Sequence, residues 1–161
     1  VQALAYLARC NRYSDSPGAL TDYLGLTKGT VSQTLKVLER EGLLTREPDA
    51  EDRRRVHLAL TPAGAEVARQ AAPPSGLRLA LEALEPERLA RLSGDLEELL
   101  RALQRADGSA AFGVCRGCRH FEPRSQGRGR CGLTGEPLSR RDAGLLCREH
   151  EPAGEEARSL D

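Results

Sequence analysis

Tryptophan is absent from this 161-residue chain, and its aromatic side chains are only two Phe and three Tyr. A core must therefore be built from Leu, Val and Ala, which suits packed helices better than a β-sandwich. Net charge is absent too, since 24 basic residues balance 24 acidic ones. The whole molecule is then no electrostatic magnet for nucleic acid, and any such affinity has to come from a local patch. No apolar run approaches the ~18 residues that span a bilayer, and no basic-then-apolar signal segment opens the chain. A cytoplasmic protein without a membrane partner is expected. The first residue is Val1 rather than Met, so some N-terminal residues are expected to precede it. No internal repeat is visible. Nor does any Ser/His/Asp set, phosphate loop or carboxylate pair mark a catalytic pocket, so the chain is not expected to be an enzyme.

What is present falls into regions of different character. Residues 1–72 alternate helical patterns with one short strand pair, until Pro73-Pro74-Ser75-Gly76 breaks the chain, because consecutive prolines cannot continue a helix. Residues 77–106 are rich in Leu, Glu and Arg. They read as a helix from Leu77 to Leu84 and a second one entered at Pro86. On the second, Leu89, Leu92, Leu96, Leu99 and Leu103 recur at alternating steps of three and four. That leucine seam, flanked by Glu97, Glu98, Arg101 and Arg105, packs either on its own domain or on the partner of a dimer. From Gly108 onward Gly, Arg, Pro and Cys dominate and no helical period survives. Residues 112–150 form a four-cysteine module, and residues 151–161 a disordered tail.

The first region carries a helix-turn-helix pattern. Ser16-Pro17 suits a helix start, Ser as cap and Pro in the first turn. Ala19, Leu20, Tyr23 and Leu24 give the apolar side of a short helix, and Gly25 supplies the turn. Thr27 caps a second helix running from Lys28 to about Arg40, with Val31, Leu35 and Leu38 facing the core. The opposite face carries Gly29, Ser32, Gln33, Lys36 and Arg40, with Lys28 and Thr30 near its start. Such side chains reach base edges and phosphates in a major groove. A polar face alone is more often a solvated surface, but the chain's only two lysines, Lys28 and Lys36, both lie here. Gly42 ends this helix. Leu43-Leu44-Thr45-Arg46 then opens a strand, and a charged loop ending in Arg53, Arg54 and Arg55 leads to a second strand, Val56–Leu60, with alternating burial. Three arginines on a hairpin loop suit a phosphate backbone or a narrow minor groove.

The run Leu35-Lys36-Val37-Leu38-Glu39-Arg40-Glu41-Gly42-Leu43-Leu44 resembles the MarR family of bacterial winged-helix regulators. So do Asp52-Arg53-Arg54 and Leu60-Thr61-Pro62-Ala63-Gly64, and the likeness covers about residues 1–105. It implies a homodimer on a pseudo-palindromic duplex DNA operator, read by Thr27 through Gln33 and Lys36, with the wing arginines Arg53 and Arg54. It also implies that Asp52 orients a wing arginine, and it allows a small-molecule effector near the dimer interface. Members usually begin with an additional dimer-forming helix, which is missing or clipped here, so the dimer assignment leans on residues 77–105.

Five cysteines in a cytoplasmic chain read as metal ligands rather than disulfides. Cys115-Arg-Gly-Cys118 is followed by Cys131 and Cys147 in a segment too short and polar for a core of its own, so a metal is expected to hold it. Cys10, in a predicted helix, reads as a buried apolar residue, and His120 and His150 as two exposed histidines. Zinc and a [4Fe–4S] cluster both remain open. Only one Cys-x-x-Cys knuckle is present, and the ordinary ferredoxin run is not. The layout Cys-x-x-Cys-x-x-Phe, Gly-Arg-Cys, Gly-Glu-Pro-Leu, Ala-Gly-Leu-Leu-Cys resembles small high-potential iron–sulfur proteins, which implies a cluster on these four thiols and places iron–sulfur slightly ahead. With only Phe112 and Phe121 to shelter it, such a cluster would be exposed and reactive, as a redox, oxygen or iron sensor needs.

The fold expected is mainly α with a small β-wing: a winged helix-turn-helix, a dimerisation helix and a small Cys-rich metal-bound tail. Its expected function is DNA-binding transcription regulation. The alternative makes the tail an electron carrier or protein-interaction module, with the winged helix used for protein contacts.

Overall fold

The computed structural model describes residues 1–50, 52–71, 75–109 and 111–153. In chain order these form α1 (Gln2–Leu7), α2 (Pro17–Leu24), α3 (Lys28–Arg40), β1 (Leu44–Pro48), β2 (Val56–Leu60), α4 (Pro62–Gln70), α5 (Ser75–Glu82) and α6 (Pro86–Asp107). After them come β3 (Gly113–Val114), β4 (Phe121–Pro123), β5 (Gly129–Cys131), β6 (Pro137–Leu138) and β7 (Leu146–Cys147). Among the described residues no helix is long and apolar enough to cross a membrane. The prolines expected to break the chain, Pro73 and Pro74, lie outside the described residues.

Local chemistry fixes the first half. The Ser16 hydroxyl accepts from Ala19 N–H with Pro17 in the first turn, and α2 ends on Gly25 at φ +62, a left-handed turn that a Cβ would strain. Thr27 repeats the capping device, accepting from Thr30 N–H at the start of α3. Val31 and Leu35 on α3 are buried and Leu38 is half-buried; together with Leu20 they meet Ala3, Tyr6 and Leu7 of α1 and Leu44 and Leu58 of the hairpin. Each such leucine contributes about 1.5–3 kcal/mol by leaving water. β1 and β2 pair antiparallel, Leu44 opposite Leu60 and Arg46 opposite Leu58. Thr61 locks the exit: its hydroxyl donates to the Gly42 carbonyl and accepts from Gly64 N–H. Gly64 is required there, since a Cβ would run into the Leu43 carbonyl.

The helix α6 buries none of its residues, and Leu92, Leu96, Leu99 and Leu103 are all 40% exposed or more. Among the described residues the seam is therefore mostly unpacked on its own chain, Leu89 alone of its five leucines being half-buried.

The cysteine segment departs from its sequence reading in four ways. It forms very short strands, β3 with β7 and the order β4-β5-β6, where no strand was expected, because two or three residues carry no readable period. It is not a separate appendage. Residues 9–11 run alongside β7, with Leu146 N–H donating to the Arg9 carbonyl and Asn11 N–H to the Leu146 carbonyl, both at 2.8 Å. Cys10 accordingly sits in a bridge to Leu146 beyond the end of α1, not in a helix, although it is buried as expected. Finally, residues 151 and 152, expected in a disordered tail, are tied to the module. Arg119 N–H donates to the Glu151 carbonyl at 2.7 Å and Pro152 bridges to Cys118; residues 154–161 lie outside the described residues.

Candidate nucleic-acid interface and thiol cavity

α3 presents Thr27, Lys28, Gly29, Thr30, Gln33, Lys36 and Arg40 to solvent, while Ser32 is half-buried. The same helix turns Val31 and Leu35 inward, so its polar face is fixed in orientation by its apolar one. Arg53, Arg54 and Arg55 are exposed at the tip and base of the hairpin. Their loop is held by short bonds: Asp52 N–H donates to Asp49 Oδ1 (2.8 Å), Arg54 N–H to Asp52 Oδ1 (3.0 Å) and Arg55 N–H to the Asp52 carbonyl (2.8 Å). Asp52 thus positions Arg54 through its backbone; among the described residues it makes no ion pair with a wing guanidinium. The structure brings the helix and wing residues into one protein half, open to solvent.

His57 on β2 is a brace between the wing and the residues before α2. Nδ1 lies 2.7 Å from Asp15 Oδ1 and Nε2 lies 2.8 Å from Asp49 Oδ2. The hydrogen bonds that its ring N–H groups donate to the Asp49 and Asp15 carboxylates hold the imidazole above its usual pKa. Burial pushes the Asp15 carboxyl up, against the pull of His57. Leu58 N–H also donates to the Asp15 carbonyl at 2.7 Å, so the wing is tied to the stretch between α1 and α2 by side chain and backbone together.

Cys115, Cys118, Cys131 and Cys147 line one cavity of about 260 Å³. Cys115 and Cys118 flank a single 3₁₀ turn, Cys131 closes β5 opposite Phe121, and Cys147 closes β7. Phe121 is seated by Gly129, where a Cβ would strike its ring. Among the described residues, no three His, Cys, Asp or Glu side chains gather as a preformed metal site; the four thiols instead surround a space. The mutual interaction of Cys115 and Cys147 lowers the Cys147 thiol and raises that of Cys115, which burial raises further. The remaining wall includes His120, Phe121, Leu138, Tyr13 and the wing residue Arg55.

Three sequence expectations for this module change. His150 is buried, its ring stacked where a Cβ on Gly113 would be; His120 is half-buried, lines the cavity and bonds Glu151 at 3.1 Å. Phe112 does not shelter the thiols. It packs edge-on against Tyr6 and Tyr23, at 6.0 and 5.2 Å between ring centres. Tyr13 stands on the cavity wall instead, its hydroxyl pinned between Arg12 (3.0 Å) and Glu136 (2.9 Å).

Asn11, Tyr13 and His57 are the residues sequence reading missed. The only signal available was a polar run, Asn11-Arg12-Tyr13-Ser14-Asp15, between two apolar helices, which says nothing about what it touches.

Comparison with known proteins agrees with this architecture. A model of the MarR family matches residues 1–55. The transcriptional regulator HosA of Escherichia coli O127:H6 is 38% identical over 96 residues, 57% of this chain and 67% of HosA. The crystal structure of S. aureus MepR in its DNA-binding conformation is similar with a TM-score of 0.55 at 27% identity, covering 64% of this chain and 77% of MepR. Streptococcus pneumoniae FabT in complex with DNA gives 0.53 at 25% identity, covering 65% and 73%. The capped turn between α2 and α3, the hairpin behind it and these likenesses converge: the chain belongs to the MarR family of winged-helix transcription regulators.

Proposed function

We propose that the chain binds operator DNA as a homodimer in the cytoplasm, and that its thiol cavity holds a metal centre through which that binding is regulated. A MarR-family regulator is not an enzyme, so the output is occupancy of DNA. The observation that carries the DNA reading is the solvent-facing set Thr27, Lys28, Gly29, Thr30, Gln33 and Lys36 on α3, with half-buried Ser32 beside it and Arg53, Arg54 and Arg55 at the wing. MepR in a DNA-binding conformation and FabT bound to DNA support it. α3 would enter the major groove and the wing arginines the phosphate backbone or minor groove.

A second copy of the chain is the natural cover for α6. Its exposed leucines are flanked by charges of both signs, Glu97, Glu98, Arg101 and Arg105, and mixed signs permit self-pairing. A small-molecule effector near that interface is part of the family resemblance.

The donor chemistry of the cavity suits a soft metal. Zinc bound by four thiolates needs sulfurs about 3.8 Å apart, given Zn–S near 2.3 Å. Thiols spread around a space of about 260 Å³ favour the larger [4Fe–4S] cluster over zinc. Such a group, when bound, supplies a one-electron couple and sensitivity to oxygen. Tyr13, Phe121 and Leu138 would limit water around it.

The test is salt-dependent binding to DNA from upstream of the protein's own gene, with the iron, sulfide and zinc content of protein purified without air. Arg53→Ala with Arg54→Ala should weaken binding and reduce the salt slope by about two per protomer, about four for the dimer. Unchanged DNA binding with lost binding to a protein partner would favour the electron-carrier or protein-interaction alternative.

A further inference from the structure

Asn11 is 2% exposed and all of its polar groups are engaged. Its backbone N–H donates to the Leu146 carbonyl (2.8 Å) and its carbonyl accepts from Ser14 N–H (3.0 Å). Oδ1 accepts from Tyr13 N–H (3.1 Å), which leaves Nδ2 to donate to the Cys115 sulfur at 3.3 Å. A residue of the DNA-binding half thus points a buried amide at a thiol of the cavity. The stretch continues without a break. Tyr13 stands on the cavity wall, the Ser14 hydroxyl accepts from Arg148 N–H beside Cys147 (2.8 Å), and Asp15 grips the wing through Leu58 N–H and His57. From the other side, Arg55 at the base of the wing reaches the same cavity.

The geometry points to Asn11–Asp15 as the element through which the state of the thiol cavity sets the position of the wing, with Asn11 as the positioning residue at the sulfur end. This rests on the metal-centre reading above. The physical driver is the acceptor strength of the Cys115 sulfur. An N–H bond to an anionic, metal-bound sulfur is stronger than one to a neutral thiol. That difference is the differential interaction any ligand-driven shift requires. Metal-loaded protein then holds the stretch, the brace on His57 and the wing together, and binds DNA more tightly than metal-free protein.

The experiment uses the full chain, loaded and emptied by chelator, with DNA from upstream of its own gene as probe. Loaded protein should bind about tenfold more tightly, within the usual range of coupling between sites. Asn11→Asp keeps the shape and the acceptor but removes the donor. It should lower the reduction potential by the equivalent of about tenfold, about 59 mV for one electron passed from dithionite to the cluster, and bring the loaded-to-empty affinity ratio towards one. His57→Leu cuts the other end: the potential stays and the ratio still falls. A potential and ratio unmoved by Asn11→Asp, or a tenfold ratio surviving His57→Leu, overturns the inference. Protein holding zinc instead of iron and sulfide sinks the cluster reading alone, and the affinity ratio with and without zinc then decides the link. Protein that retains no metal overturns both.

Discussion

Replacing His57 by Leu should make the stability of the molecule less dependent on pH, in one direction only. Charged His57 lies between two carboxylates at 2.7 and 2.8 Å. Hydrogen bonds to charged groups contribute about 1.5–3 kcal/mol each when well buried. The imidazole keeps 28% of its surface open to water, and solvent screening takes much of that away, so about 1–2 kcal/mol for the whole brace is a fair expectation. The sign follows from the raised pKa of the folded state. The stabilisation is fully present below the unfolded value of about 6.5, and is lost as pH rises through the higher folded value. Urea unfolding of both proteins from about pH 6 to about pH 9 measures it, and their difference cancels titrations they share, such as those of the thiols. Wild type should exceed the variant at the acid end, with the gap closing towards the alkaline end. A gap that is flat or widens with pH would refute the assignment of His57 as a charged brace.

Gly64→Ala forces the backbone apart at the Leu43 carbonyl and should cost about 1–3 kcal/mol or more in the denaturant midpoint, although Ala is the better helix former. Tyr6→Phe removes the 2.6 Å bond from a buried hydroxyl to the Ser14 carbonyl. With that carbonyl left unpaired, thermal unfolding should show a loss of about 1–3 kcal/mol, whereas an unchanged melting point would mean water takes the hydroxyl's place. Leu96→Asp together with Leu99→Asp should leave the fold intact by circular dichroism, because both side chains are 56% exposed, yet shift sedimentation to the monomer and abolish tight operator binding.

The DNA-binding half was legible because its signals are local. Ser16, Thr27 and Thr61 cap helices that begin on the next residue, and the spacing of Val31 and Leu35 orients α3 without knowledge of its partners. α6 was legible as a seam, though only the structure separates a free face from a packed one. What stayed hidden depends on pairs remote in sequence. Nothing near Phe112 announces Tyr6 and Tyr23, nothing near His57 announces Asp15, and nothing near Asn11 announces Cys115. The burial of His150 rests on the bare backbone of Gly113, a fit between two loops that composition does not encode. The thiols could be named from their spacing, but the space they enclose could not.

The contact between Ser14 and Arg148 joins residues 134 positions apart, and it bears on how the protein is made. At about 5–20 residues per second, synthesis completes the reading helix and wing on the order of ten seconds before β7 is translated. Until then residues 9–14 have no strand to lie against, and Asn11 has no thiol to address. The segments that form the DNA-reading surface are therefore made before the element that ties them to the thiols, and that tie closes a loop of 134 residues. A ribosome stalled before residue 146 would hold a chain with a wing but without its tether.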